Sequence, residues 1–193
     1  MRNFFILVLL CCASLSYTQN QKINVALNYP VTIDENFVGQ SYNSIIDIGL
    51  KYRCANFKAI SVGGSVNVGY LKNTKEDAPQ IADTNAYTLQ PRIFAELNLD
   101  KLPKLHPSVG VGYSMFIFNA KLNNEALAIL DDENQNSKEF GINLNLGIAY
   151  DITEKLMTQV QYDFVKINID DTVPNIDYNR NINIIKIGLG YRF

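Results

Sequence analysis

His106 is the single histidine of this 193-residue chain and stands beside Pro107, in a stretch that reads as a turn between two strands. One imidazole cannot build a two-histidine metal site, and general-base work would need a reaction partner brought to it by the fold. At a turn it is expected to be a solvated residue. Cys54 has no basic triad partner nearby in sequence, so it is expected to be an unpaired thiol at a turn. The run Asp131-Asp132-Glu133-Asn134-Gln135-Asn136 offers hard oxygen ligands of the kind calcium takes. It lacks the glycine and the spaced terminal glutamate of an EF-hand loop. With Asp170, Asp171 and Asp177 it reads as solvated loop charge. No catalytic residue, no metal site and no cofactor is expected.

The segments that would position these side chains alternate with a period of two, the pattern of strands with one apolar and one polar face. Eight runs show it: Lys22 to Pro30, Tyr42 to Arg53, Phe57 to Leu71, Ala86 to Leu99, Ser108 to Asn119, Lys138 to Tyr150, Leu156 to Ile169 and Asn181 to Phe193. In the sixth, Phe140, Ile142, Leu144, Leu146, Ile148 and Tyr150 oppose Gly141, Asn143, Asn145 and Gly147. The fifth is the least clean, because Phe116 and Phe118 share a face with Gly110, Gly112 and Ser114. Pro91 falls inside the fourth and predicts a bulge or local distortion, since proline has no amide hydrogen for the ladder.

Connection lengths alternate. Val31 to Ser41, Lys72 to Asn85, Ala120 to Ser137 and Asp170 to Arg180 are long, while Cys54 to Asn56, Asp100 to Pro107 and Asp151 to Lys155 are short. Such alternation puts every long loop at one end of an up-and-down sheet and every short turn at the other. Within the third long loop, Glu125 to Leu130 is apolar enough to form a helical turn or to fold over a barrel mouth.

The N-terminus reads as an address. Arg2 precedes an apolar run, Phe4 to Ala13, and small and polar residues follow from Ser14. That is the anatomy of a secretory signal peptide, expected to span residues 1–18 and to be cleaved. The run is too short for a spanning helix, which takes roughly 18 or more residues. Cleavage would leave Cys54 as the only cysteine and exclude an intramolecular disulfide. The formal charge of −2 becomes about −3 without Arg2, which speaks against nucleic acid as a partner. Mean hydropathy is −0.05. A membrane barrel reaches such a value because polar lumen residues cancel the lipid-facing ones. Eleven Tyr and ten Phe, with no Trp, are available for membrane interfaces.

The final octamer, Lys186-Ile187-Gly188-Leu189-Gly190-Tyr191-Arg192-Phe193, places a polar residue, a glycine and two aromatics at Lys186, Gly188, Tyr191 and Phe193. It resembles the C-terminal assembly signal of bacterial outer-membrane β-barrels. With the signal peptide and the alternating loops, residues 22–193 resemble the small eight-stranded outer-membrane barrels of the OmpA/OmpX-like superfamily. The resemblance implies an all-β fold, an eight-stranded antiparallel up-and-down transmembrane β-barrel with short periplasmic turns and long external loops. It also implies an integral outer-membrane location, both mature termini in the periplasm, and contact with outer-membrane lipid and the barrel assembly machinery.

An eight-stranded barrel has an interior just wide enough for side chains to fill. Parity sends Asp47, Lys51, Arg53, Arg92, Glu96, Asp163, Lys186 and Arg192 inward, with both signs mixed. Buried charges must be paired, so a closed polar network is expected. The leading expectation for function is a non-enzymatic barrel with a structural or interaction role, meeting an envelope protein partner through its loops. An accessory barrel of an envelope secretion or assembly system and a narrow ion pore are the alternatives. A soluble lipocalin-like carrier, which would turn its apolar face inward, comes last.

Overall fold

A computed structural model describes residues 22–33, 35–73, 82–122, 134–168, 174 and 176–193. Eight strands follow one another: β1 (Ile23–Ile33), β2 (Asn43–Phe57), β3 (Ile60–Lys72), β4 (Ala82–Leu97), β5 (Leu105–Leu122), β6 (Asn134–Asp151), β7 (Leu156–Asn168) and β8 (Asn181–Arg192). Two short helices, α1 (Phe37–Ser41) and α2 (Asp177–Arg180), lie in the first and last long connections. Each strand pairs antiparallel with its sequence neighbour, and β1 closes on β8 from Asn24↔Arg192 to Ile33↔Asn183. Closure removes every free strand edge.

The faces are sorted as in a protein turned inside out. Leu27, Ile93, Ile142, Leu146, Ile187 and Leu189 point outward and are each more than half exposed. Asn28, Asn67, Gln90 and Asn143 point inward and are almost wholly buried. Water would select the reverse arrangement, as would an apolar ligand carried inside a barrel. No helix among the described residues is long and apolar enough to cross a membrane. The strands, from 11 to 18 residues, meet or exceed the roughly 9–11 that a tilted spanning strand needs.

Several strand limits differ from the expected ones. β2 runs through Cys54 to Phe57, and the turn is the two residues Lys58 and Ala59, with Lys58 at φ 31°. Cys54 therefore lies exposed within a strand, where the register skips between Arg53 and Ala55. A bulge absorbs one residue and lets pairing continue, so the loss of clean alternation there is not a turn. β5 starts at Leu105 and β6 extends to Asp151, so His106 and Asp151 belong to strands instead of turns. Pro91 causes no bulge. β4 pairs with β5 at Leu89↔Met115 and again at Arg92↔Gly112 in unchanged register, so the ladder merely lapses across Gln90 and Pro91. Pro91 still pairs with Val66 on its other side.

The first long connection is largely structured. β1 continues to Ile33, and α1 begins after Asn36, whose side chain accepts from the Gly39 amide at 2.8 Å. Val38 and Gly39 of α1 are buried and Tyr42 follows them inward. The stretch Glu125 to Leu130 and the acidic residues Asp131 to Glu133 fall outside the described residues, as do Asp170 and Asp171, whereas Asn134 to Asn136 begin β6.

Candidate functional site

The lumen is built in three layers, and alternation along each strand supplies them. The middle layer centres on Lys186 of β8, whose side chain is 2 % exposed. Its ammonium has three donors, and all three are used: Asp47 Oδ2 at 2.8 Å, Asp163 Oδ2 at 2.9 Å and Gln90 Oε1 at 2.7 Å. Asp47 also accepts from Asn28 at 2.7 Å and from Asn67 at 2.5 Å. Asp163 accepts from Arg92 Nη1 at 3.1 Å and from Asn145 at 2.6 Å. Gln159 donates to Asn28 at 2.7 Å, and Gln90 to Ser114 at 3.0 Å. All eight strands contribute to this belt, which carries two carboxylates and two cations. Its charges cancel within a few ångströms.

The turn-end layer holds the other expected charges. Arg53 grips Glu96 Oε1 through Nε at 3.0 Å and Nη2 at 2.6 Å, and donates to Asn24 at 3.1 Å. Arg192 Nη1 donates to Asp151 Oδ2 at 2.8 Å. Lys51 stands apart from these pairs with its ammonium 5.4 Å from the centre of the Phe94 ring, a cation–π distance. His106 is not a solvated turn residue. Its Nε2 lies 2.8 Å from Asp151 Oδ2 and its Nδ1 3.9 Å from Glu96 Oε1, with the side chain 11 % exposed. Parity carried past the expected strand ends would have found both missed residues: His106 is in phase with Ser108 and Gly110, and Asp151 with Gly147 and Ala149.

The loop-end layer was not expected to be apolar. Val38, Tyr42, Leu71, Ala86, Phe116, Phe118, Val165, Ile167, Ile182 and Ile184 form one buried cluster. Phe116 and Phe118 stack at 6.0 Å, and Phe37 meets Phe118 edge-on at 5.8 Å. This explains the untidy pattern of β5: its two phenylalanines face inward into a core that α1 covers. An apolar lid on a polar barrel keeps water from the buried belt at that end.

Of the terminal residues, Lys186 is buried in the belt, and Gly188 lies where β8 crosses β1. A side chain at Gly188 would collide with the Leu27 carbonyl and the Asn28 amide group. Tyr191 and Phe193 face outward, their rings 4.8 Å apart and edge-on, and the Phe193 amide donates to the Ile23 carbonyl at 2.9 Å. Among the described residues no group of three or more His, Cys, Asp or Glu side chains could hold a metal ion.

A family model described as outer membrane protein beta-barrel domain matches residues 4–193. No curated protein sequence matches the chain. Among solved structures, Neisserial surface protein A is 15% identical over 88% of this chain and 94% of that one, with a TM-score of 0.53. Ail, the attachment invasion locus protein of Yersinia pestis, is 9% identical over 89% and 97%, with a TM-score of 0.56. OprG, an outer membrane protein from Pseudomonas aeruginosa, is 12% identical over 89% and 96%, also with a TM-score of 0.56. At these identities the likeness is one of fold.

Proposed function

The chain belongs to the outer membrane protein β-barrel domain family and is an integral outer-membrane barrel, and from that premise we propose that it works as a non-enzymatic structural or interaction barrel whose lumen is closed. The observation that carries this reading is the layered interior. A belt tied into all eight strands lies beneath an apolar core capped by α1. A route for ions would have to break both. The outer wall faces lipid, so the surfaces left for recognition are the long loops at one end and the turns at the other.

In this reading residues 1–18 are a cleaved signal peptide. Lys186, Gly188, Tyr191 and Phe193 serve the assembly machinery, and both mature termini are periplasmic. The long connections around residues 34–42, 73–81, 123–133 and 169–180 face outward from the cell and meet an envelope or external partner. An epitope inserted between Ala126 and Leu127 should be labelled by antibody on intact cells, while the same epitope inserted between Thr153 and Glu154 should be labelled only after the outer membrane is opened. Labelling of the second epitope on intact cells would reverse the orientation and refute this account of the recognition surface.

A further inference from the structure

The turn end of the lumen contains a cavity of about 330 Å³ whose wall includes Lys22, Arg53, Glu96, Asn98, His106 and Arg192. Unlike the belt above it, this layer is not neutral. Among the described residues its side-chain carboxylates are Glu96 and Asp151, and both are already engaged, Glu96 by Arg53 and Asp151 by Arg192 and His106. Against those two acids stand Arg53, Arg192 and Lys51 inside the lumen, with Lys22 half-buried at the cavity wall. A surplus of buried positive charge is costly unless an anion joins it.

A second observation points the same way. The Arg192 side chain is only 8 % exposed, yet its buried Nε has no hydrogen-bond partner among the described residues. The same holds for the buried Nδ1 of His106 on the same wall. Nε2 is taken up by the Asp151 carboxylate, so Nδ1 is the ring nitrogen left to meet an incoming group. Guanidinium groups match the oxygens of a phosphate in plane and spacing. Cys54 on the rim of the cavity is exposed and Lys22 beside it half-buried, so the cavity opens to the turn end.

We propose that this cavity binds a small oxyanion, a phosphate or phosphomonoester group, which enters from the turn end and completes the charge balance of the lower lumen. Two sources share that chemistry: a dissolved phosphate compound and the headgroup of a phospholipid beside the barrel rim. The test uses the full mature chain refolded in a phosphate-free detergent and titrated with inorganic phosphate at constant ionic strength, with amide NMR shifts as the readout. Saturable shifts at Arg53, His106 and Arg192 are expected, and His106→Gln or Lys22→Gln should weaken binding about tenfold, the loss of one charge-assisted contact. Lys166→Gln, at the opposite end of β7, should leave it unchanged. Heat-modifiable gel migration confirms that each variant is folded. Binding in detergent assigns the dissolved source, whereas shifts that arise only in nanodiscs containing phosphatidylglycerol assign the headgroup. Shifts that never saturate, that chloride reproduces, or that both Gln variants at the cavity retain in full would overturn the proposal.

Discussion

Lys186 shows how much a single residue depends on its surroundings in this lumen. Its neighbours Ile187 and Ile185 lie on the lipid side, while its ammonium binds acids 139 and 23 positions away, Asp47 and Asp163. Removing one member of such a buried set leaves the opposite charge uncompensated, a loss of about 3–5 kcal/mol. Lys186→Met should therefore lower stability by that order in urea titrations of the inserted barrel, followed by gel migration. Adding Asp47→Asn should restore a large part of it, because one orphaned carboxylate is then gone. No recovery in the double variant would mean that Lys186 acts through packing alone. At this scale parity made the inward direction legible for all eight expected charges. It missed His106 and Asp151 because proline and aspartate at a run's end imitate a turn, and the strands extend past those signals.

At the scale of elements, β5 teaches the most. Its alternation looks weak only under the assumption that every inward residue of a barrel is polar. Phe116 is wholly buried and stacked on Phe118 beneath α1. Truncating a packed phenylalanine costs about 3–5 kcal/mol. Phe116→Ala is expected to destabilise the barrel by that amount and to loosen α1, making the chain near Phe37 cleave faster under limited proteolysis. Unchanged cleavage would show that α1 is held by its own cap and not by the core below. At Pro91 the expected disturbance is a local gap in the ladder and not a bulge. Proline removes one donor from the ladder, but Gln90 on its inner side is anchored to Ser114 and Lys186, so the register survives the gap.

For the whole molecule, closure is the property with consequences. Barrel shear sets which inward side chains share a layer, and here it groups apolar residues at the loop end, balanced charges in the middle and surplus cations at the turn end. Two independent seals lie in series. Planar-bilayer recordings of the purified barrel should stay flat, and Phe116→Ala should also stay flat, because opening the apolar core leaves the belt intact. Stable unit conductance from the unaltered protein would refute the closed lumen and restore the narrow-pore alternative.

The sequence by itself determined the all-β class, the even strand number, the separation of long loops from short turns, and which residues face lipid. Each follows from a period of two, a local property of the chain that needs no partner to be read. Only the tertiary structure decided that Lys186 meets Asp47 and Asp163, that the upper lumen is apolar under α1, and that His106, Asp151 and Arg192 form one group. Those outcomes depend on the register at which β8 returns to β1. Parity says that a side chain points inward; register says what it finds there.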